Sequence, residues 1–157
     1  MSAQEHLTVE ERATNNDTWW HIHRVRQLLG IVIKELIQRA EEHDLSKLDD
    51  PEVGALTAAP PLDDINYNSK EYEASKASME KALAHHYGHN RHHPQFHKNG
   101  VDDMSLIDFI EMTCDWKASS ERHTTGNIRK SIEINGEKYH IAPQLMRVME
   151  NTIKELG

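Results

Sequence analysis

The clearest helical pattern of the chain lies in DTWWHIHRVRQLLGIVIKELIQRAEEH, residues 17–43. Its apolar residues recur at alternating steps of four and three, at Val25, Leu29, Val32 and Leu36. That spacing is typical of one face of an amphipathic helix, and Asp17 or Thr18 is a suitable N-cap. The pattern passes through Gly30 without a break, so it predicts one continuous helix that ends within residues 43–47.

The rest of the chain shows three more helical patterns. They cover residues 69–90, residues 104–122 and a closing segment that starts at Pro143. On the 104–122 helix, we expect the buried face to hold Leu106, Ile107, Ile110, Cys114 and Ala118. A short acidic helix is also expected after Ser46 or Asp50, and the paired prolines in residues 58–64 predict a loop.

Residues 131–141 read SIEINGEKYHI and alternate apolar with polar side chains. The Asn135-Gly136 pair at the centre is a strong signal for a two-residue hairpin turn. We therefore predict an all-α, single-domain helical bundle over residues 1–157, with one small β-hairpin near the C-terminus. Residues 1–16 are polar and are expected to be loosely ordered.

The composition excludes several classes of function. The 157 residues include 18 Lys and Arg against 26 Asp and Glu, and the net charge of -8 disfavours binding to duplex nucleic acid. No apolar run reaches the roughly 18 residues of a membrane helix, and the N-terminus lacks the layout of a signal peptide. Cys114 is the one cysteine, so no internal disulfide can form. We expect a cytoplasmic protein that does not span a membrane.

Histidine is the unusual component, with 12 residues in all and six of them in HHYGHNRHHPQFH, residues 85–97. On a helix, His86 and His89 are neighbours at i, i+3, and His85 and His89 at i, i+4, so either pair can hold one metal ion. His86 also continues the apolar stripe of its helix and is expected to point inward. His93 is a less certain ligand, because a proline follows it and interrupts the helix. The alternative is a solvated helix end, where histidines favour the helix dipole.

The segment HDLSK, residues 43–47, places an imidazole and a carboxylate side by side where the first helix is predicted to end. His43 and Asp44 can share one metal ion there. Alternatively, Asp44 caps a helix and His43 is an ordinary surface residue.

A third candidate is IDFIEMTCDWKA, residues 107–118, in which Asp108, Glu111 and Asp115 follow one helical stripe. Carboxylates in one row repel one another unless a cation neutralises them. The stripe borders the apolar face, so a bound metal ion explains it better than plain solvation. Asp115 is the preferred ligand, and Asp108 and Glu111 are less certain ones.

Together, these motifs supply imidazole and carboxylate ligands from three helices, namely His43, Asp44, His86, His89 and Asp115. Such ligands suit a divalent ion, with Mn, Fe, Zn, Co and Mg as candidates, or a centre of two metal ions. The chain has no cysteine cluster, which argues against a closed structural zinc site.

HDLSK resembles the HD-x-[G/S]-K element of the HD-domain superfamily of metal-dependent phosphohydrolases. His85 and His86 resemble the paired histidines that some branches add for further metal ions, and CDWKA at residues 114–118 resembles the closing helix with its ligand, Asp115. The whole chain also resembles small phage and bacterial proteins with the motifs HDxSK, HHYxxNRHHP and EMxCDWKA. The superfamily resemblance implies an all-α, HD-domain-like fold, a divalent metal cofactor, and hydrolysis of a nucleotide or nucleoside phosphate.

Members of the superfamily carry a further histidine on the first helix, and HIHRV at residues 21–25 is similar to their H-x-x-R-V. That similarity would make His21 a ligand. In one continuous helix, however, His21 lies about 33 Å from His43, too far to share an ion. Either Gly30 marks a break that folds the chain back, or His21 and His23 have another role and a clustered histidine replaces them. We favour replacement.

The resemblance implies that a metal-activated water attacks the phosphate ester. Asp44 would serve catalysis as a metal ligand, Lys47 and Arg91 would offset phosphate charge, and His89 or His93 would protonate the leaving oxygen. One alternative is a non-catalytic module that binds a metal ion or nucleotide, or forms an interface in a phage or bacterial complex. Another is a helical homo-oligomer whose histidines form a pH-sensitive surface.

Overall fold

The structure is a computed structural model, and it describes residues 7–58, 70, 79–122 and 124–157. The described residues form six α-helices and three short 3₁₀ helices and contain no strand, so the prediction of an all-α fold is confirmed. The α-helices are α1 (Val9–Glu42), α2 (Glu52–Ala58), α3 (Glu80–His89), α4 (Leu106–Glu121), α5 (Ile128–Lys138) and α6 (Pro143–Leu156). The 3₁₀ helices are Leu45–Leu48, Pro94–Phe96 and Gly100–Asp103. None of the described helices has both the length and the apolar content that crossing a membrane requires.

Helix α1 begins earlier than the sequence pattern predicts. Thr8 and Glu11 form a capping box, in which the Glu11 N–H donates to Thr8 Oγ1 (3.1 Å) and the Thr8 N–H donates to Glu11 Oε2 (2.7 Å). This cap lets the helix start at Val9 rather than at Asp17. The helix then continues through Gly30 without a break, as predicted.

The chain divides into two compact units, Met1–Gln38 and Arg39–Gly157. In the first unit, residues 1–6 of the segment expected to be loosely ordered lie outside the described residues, whereas residues 9–16 are helical. No residue of α1 is buried, and the predicted apolar face is exposed, with Leu29 at 55%. The amphipathic pattern therefore predicts the helix correctly, but none of the residues on its apolar face is buried.

The hydrophobic core of the second unit lies between α4, α5 and α6. Its buried members are Phe109, Met112, Trp116, Ile132, Ile141 and Met149. Both helices predicted for this region form close to the expected bounds, α4 within residues 104–122 and α6 from Pro143. Their N-termini follow from local signals, because Ser105 forms a capping box with Asp108 and Pro143 occupies a first-turn position.

The predicted buried face of α4 is wrong at three of its five positions, while Ile107 and Ile110 are half-buried. Leu106 is 72% exposed, and Cys114 and Ala118 are also exposed. Phe109 and Met112 enter the core instead. The helix is therefore rotated relative to the prediction, and its acidic stripe, which was expected to border the apolar face, is itself partly buried, with Asp108 at 0% exposure.

Residues 131–141 do not form the predicted hairpin, because the residues up to Lys138 belong to α5. Asn127 caps this helix by accepting hydrogen bonds from the backbone N–H groups of Arg129 (3.0 Å) and Lys130 (3.2 Å). The cap satisfies donors that a strand would instead offer to a partner strand. The N-cap at Asn127 thus favours a helix more strongly than the Asn135-Gly136 pair favours a turn.

The Asn135-Gly136 pair serves helix packing rather than a turn. Asn135 Nδ2 donates to the carbonyl oxygen of Ser131 (3.0 Å) within the helix. A Cβ atom at Gly136 would lie 2.7 Å from Cε of Met146, so the glycine permits close approach of α6. Ile132 and Gly136 are both buried and four residues apart, a spacing that fits a helix as well as an alternating strand.

Two predicted segments are described only in part. Of the predicted 69–90 helix, the structure describes α3 and residue 70, while residue 69 and residues 71–78 lie outside the described residues. The predicted 58–64 loop also lies outside them, apart from residue 58 at the end of α2. Helix α2 itself is the short acidic helix expected after Asp50.

Candidate metal centre

The end of α1 brings His43 and Asp44 together. The helix stops at Glu42, and Asp44 has a left-handed backbone with a φ of 57°. Aspartate tolerates this conformation better than most side chains do. The turn leads into the 3₁₀ helix Leu45–Leu48 and leaves His43 Nε2 3.5 Å from Asp44 Oδ2. The imidazole and the carboxylate are thus adjacent in space as well as in sequence.

Three histidines from α3 and the turn after it lie near the other oxygen of Asp44. His86 Nε2 and His92 Nε2 lie 3.4 Å and 3.5 Å from Asp44 Oδ1. His93 Nε2 lies 2.8 Å from His86 Nε2. His86 is buried, and His92 is only 1% exposed. Burial of several imidazoles around one carboxylate is typical of a metal site.

Helix α4 adds a second carboxylate, since Asp115 Oδ1 lies 3.8 Å from His43 Nε2. Two groups of ligand atoms result, and within each group all atoms lie within 4.8 Å of one another. The first group is Asp44, His86, His92 and His93, and the second is His43, Asp44, His92 and Asp115. The groups share one carboxylate and one imidazole, so they form one continuous centre.

The distances from the imidazoles to Asp44 fit metal coordination. Ligand atoms that each lie about 2.1 Å from one tetrahedral ion are about 3.4 Å apart. The contacts of His86, His92 and His43 with Asp44 measure 3.4, 3.5 and 3.5 Å. Moreover, Asp44 Oδ1 and His92 Nε2 are buried and have no hydrogen-bond partner within the described part of the chain. Such atoms are costly to bury unless something binds them, and a shared cation would bind both.

Glu111 lies outside both ligand groups, although the sequence suggested it as a less certain ligand. Its Oε1 is 3.0 Å from His43 Nδ1 and 3.1 Å from His92 Nδ1. These are the ring nitrogens that do not contact Asp44. Glu111 Oε2 accepts a hydrogen bond from Arg39 Nη1 at 2.8 Å. Glu111 therefore contacts the ligands rather than completing either group.

Asp108, the other less certain candidate, also lies outside both groups. Its side chain is 0% exposed and accepts hydrogen bonds from Arg39 Nη2 (2.8 Å) and Arg91 Nε (3.2 Å). Ser105 donates to it from both its backbone N–H and its hydroxyl. Asp108 is thus an N-terminal cap of α4 and an anchor for two arginines.

Helix α2 supplies another buried carboxylate, Glu52, which is 2% exposed. Glu52 Oε2 lies 2.9 Å from His86 Nδ1, and Oε1 lies 2.7 Å from His85 Nδ1. His86 therefore has a carboxylate at each ring nitrogen, Glu52 at Nδ1 and Asp44 at Nε2.

The carboxylates and imidazoles shift each other's pKa values. Hydrogen bonds with Asp115 and Glu111 raise the pKa of His43 to about 10, although burial opposes the shift. Burial alone would raise the pKa of Glu111, but hydrogen bonds from His43 and His92 lower it to about 2. Burial and the nearby charge of His92 lower the pKa of His93 to about 3. At neutral pH, His43 therefore carries a proton that a metal ion would displace, while His93 is neutral and ready to act as a ligand.

The sequence model of one protein family matches residues 10–155, a range that includes both ligand groups. The chain belongs to DUF5662, a family of unknown function. No curated protein matched the chain. The comparison with solved structures gave no match either.

In this member of DUF5662, several histidines that the sequence suggested lie outside both ligand groups. His89 is exposed, with its Nδ1 2.7 Å from the carbonyl oxygen of His85 and its ring stacked on that of His85 at 3.9 Å. His23 Nε2 lies 3.1 Å from Gln27 Nε2 on α1. The described ligand groups include neither His21 nor His23, and the helix that carries them is unbroken.

The two cations suggested for phosphate binding have different surroundings. Lys47 Nζ lies 2.5 Å from Asp44 Oδ2, and its side chain is 40% exposed. Arg91 donates to Asp108, and its guanidinium carbon lies 5.3 Å from the centre of the Phe96 ring. Lys47 thus lies at the centre itself, whereas Arg91 is engaged with a buried carboxylate.

In this DUF5662 chain, sequence patterns assign no role to His92, Glu52 or Arg39. The HisHis pair before a proline was an available signal for His92, because it already suggested His93. Glu52 looks like an ordinary acidic residue in the first turn of a helix, and Arg39 like a basic residue in the last turn. Their roles depend on contacts between distant segments, which local patterns do not reveal.

Proposed function

We propose that this DUF5662 chain is a divalent-metal-dependent phosphohydrolase that acts on a nucleotide or nucleoside phosphate. The observation that carries the proposal is a buried pair, Asp44 Oδ1 and His92 Nε2, 3.5 Å apart and without hydrogen-bond partners among the described residues. The imidazoles and carboxylate around this pair are the ligands that hydrolytic metal centres use. The resemblance of HDLSK to the HD-domain element supports the choice of a phosphate ester as substrate.

The two ligand groups would each hold a divalent ion. Asp44 would contribute to both, because one of its oxygens lies near His86 and the other near His43 and Lys47. His92 Nε2 can bind only one of them. His93 would complete the set on the His86 side, and Asp115 would complete it on the His43 side.

The ligand chemistry narrows the choice of ion. Imidazole nitrogen suits Zn²⁺, Fe²⁺, Co²⁺ and Mn²⁺, whereas Mg²⁺ prefers a shell of oxygen ligands and water. The first group contains three imidazoles and one carboxylate. Of the candidate ions, Mg²⁺ therefore suits this centre least.

Residues of the chain would hold the ion and bind the phosphate. A bound divalent ion would polarise a phosphoryl oxygen and lower the pKa of a water molecule. Lys47 lies at Asp44 and is partly exposed, so its ammonium group can offset the charge of a phosphate that arrives from solvent. Burial keeps His93 neutral, with a pKa of about 3, which favours a role as ligand over a role as proton donor.

A second candidate is a metal-binding module without catalysis. Arg39 and Arg91 both donate to Asp108, so a protein carboxylate already offsets their charge. That arrangement favours a structural role for both arginines. Lys47 is likewise paired with a carboxylate, but that carboxylate, Asp44, belongs to the centre itself. A chain that holds metal without turning over phosphate esters would fit the same contacts.

Metal-dependent phosphate release tests the proposal. The protein is stripped with a chelator, reloaded with Zn²⁺, Mn²⁺, Co²⁺ or Fe²⁺, and incubated with nucleoside mono-, di- and triphosphates. Release should need the metal and should fall by at least about 100-fold in Asp44→Asn, because asparagine keeps the left-handed turn but removes the charged ligand. Asp49→Asn, at an exposed aspartate nearby, is the matched control and should keep wild-type activity.

Three outcomes are distinguishable. Release that requires both the metal and Asp44 supports the phosphohydrolase. Stoichiometric metal binding without release from any nucleotide would favour the binding module instead. A wild-type protein that binds none of the four ions would contradict both.

A further inference from the structure

We infer that two buried carboxylates, Glu111 and Glu52, are positioning residues that fix which ring nitrogen each metal-binding imidazole presents. The inference rests on the proposed metal centre and adds an atomic assignment to it. In each case the carboxylate would hold Nδ1–H, and Nε2 would bind the metal. Such outer carboxylates orient histidine ligands and increase their basicity.

Glu111 holds two imidazoles with one oxygen. Its Oε1 lies 3.0 Å from His43 Nδ1 and 3.1 Å from His92 Nδ1, while both Nε2 atoms lie 3.5 Å from oxygens of Asp44. An ionised carboxylate can only accept hydrogen bonds, so the proton of each ring that contacts it must be on Nδ1. Nε2 is then the ring nitrogen left for a metal ion.

Arg39 determines how Glu111 is oriented. Arg39 Nη1 donates to Glu111 Oε2 at 2.8 Å, and Nη2 donates to Asp108 Oδ1 at 2.8 Å. The second oxygen of Glu111 is thus occupied by a donor, and the first is left to the two imidazoles. Arg39, His43 and His92 all donate hydrogen bonds to Glu111. Position 111 therefore requires a side chain whose two terminal atoms both accept hydrogen bonds.

The substitution Glu111→Gln tests this requirement directly. If the amide nitrogen of Glu111→Gln faces Arg39, two donors oppose each other. If it faces the imidazoles, Nδ1 of His43 and His92 must accept, which moves the proton to Nε2 and blocks the metal-binding atom. Neither orientation reproduces the wild-type bonds, although the side chain keeps its size.

Glu52 performs the same task for His86. Glu52 Oε2 lies 2.9 Å from His86 Nδ1, and His86 Nε2 lies 3.4 Å from Asp44 Oδ1. Asn90 Nδ2 also lies 3.0 Å from His86 Nδ1, but it donates to Ser46 Oγ and to the His86 carbonyl oxygen, both at 2.9 Å. Those two oxygens use both amide hydrogens, so Asn90 does not donate to Nδ1. An ionised Glu52 can only accept, so the proton between His86 and Glu52 belongs to the imidazole.

The test combines zinc affinity with nitrogen NMR on the full chain. Zinc affinity is measured by chelator competition for the wild type, Glu111→Gln, Glu52→Gln and the matched control Glu133→Gln, whose side chain is exposed on α5. The two buried substitutions should weaken zinc binding by about 10- to 100-fold, and the control should not change it. In the zinc-loaded wild type, the ¹⁵N-labelled imidazoles of His43, His86 and His92 should be protonated at Nδ1 and bound through Nε2.

Results that would contradict the positioning role differ from those that would contradict the metal centre. Zinc bound through Nδ1 of His43 or His92, or wild-type affinity in Glu111→Gln, would overturn the positioning role while leaving the metal centre intact. Absence of zinc binding by the wild type would overturn the proposed function, and the positioning role with it. If Glu111→Gln does not fold, the nitrogen assignment in the wild type decides the question.

Discussion

Asp108 balances the positive charges of Arg39 and Arg91 next to the candidate centre. Its fully buried carboxylate accepts hydrogen bonds from Arg39 and Arg91 and from the N-terminal cap of α4 at Ser105. Removing one charge from such a buried set leaves its partners uncompensated, which is strongly destabilising. The positions of Arg39 and Glu111, and through them of the imidazoles, therefore depend on Asp108.

Asp108→Asn should lower the free energy of unfolding by about 3 kcal/mol at pH 7. The measurement is urea unfolding of chelator-treated protein, followed by circular dichroism. Asp102→Asn, at an exposed aspartate in the preceding 3₁₀ helix, is the control and should change stability by less than about 0.5 kcal/mol. Equal stability of the two variants would contradict the role assigned to Asp108.

The loss of stability in Asp108→Asn should also depend on pH. Burial alone would raise the pKa of Asp108, but hydrogen bonds from Arg91, Ser105 and Arg39 hold it well below its usual range. The unfolded chain protonates this carboxyl near pH 3.9, so its contribution is present above that pH and is lost as the pH falls towards the folded pKa. The stability difference between wild type and Asp108→Asn should therefore narrow below about pH 4. A difference that stays constant between pH 7 and pH 2 would show that the charge of Asp108 is not what stabilises the fold.

At the scale of elements, the contact between α5 and α6 depends on Gly136. A Cβ atom there would lie 2.7 Å from Cε and 2.8 Å from Sδ of Met146. Gly136→Val should therefore lower the free energy of unfolding by about 1–3 kcal/mol, because Met146 must move and the core must repack. Gly88→Val is the control, since a Cβ at Gly88 on α3 meets nothing within 4 Å. A Gly136→Val protein as stable as the control would contradict the close packing of these helices.

Local sequence signals predict α4 and α6 close to their observed bounds, from apolar spacing and from the first-turn Pro143. They miss the starts of α1 and α5, although Thr8 and Asn127 cap these helices. The hairpin prediction fails because residues four apart, such as Ile132 and Gly136, satisfy a helix as well as an alternating strand. Only the packing against Met146 resolves that ambiguity, and packing is a property of the folded chain.

The candidate centre divides in the same way. His43 and Asp44 are adjacent in sequence, and His86 follows an apolar stripe, so local patterns predict them as candidate ligands. The helical stripe on α4 also predicts Glu111 as a candidate, but not its contacts with His43 and His92. No local spacing distinguishes Glu52 from an ordinary surface acid, because its contact with His86 joins separate helices.

For the whole molecule, metal binding should be coupled to proton release. In the metal-free protein, Asp115 and Glu111 raise the pKa of His43 to about 10, so its imidazole is charged throughout the physiological range. A metal on Nε2 must displace that proton, and affinity should therefore rise with pH up to about pH 10. Calorimetry at pH 7, in two buffers with different ionisation enthalpies, should detect release of about one proton from this residue. Affinity that does not change between pH 6 and pH 9 would contradict the assignment of His43 as a ligand.

We propose that Asp44 and His92 share a bound metal ion, and the metal content of the purified protein tests this proposal. The purified wild type, His92→Ala and His89→Ala are loaded with zinc, passed through a gel-filtration column and measured by mass spectrometry. The wild type and His89→Ala should retain the same amount of metal, because His89 is exposed and lies outside both ligand groups. His92→Ala should lose most of it. Metal retained in full by His92→Ala, or lost in His89→Ala, would contradict the account.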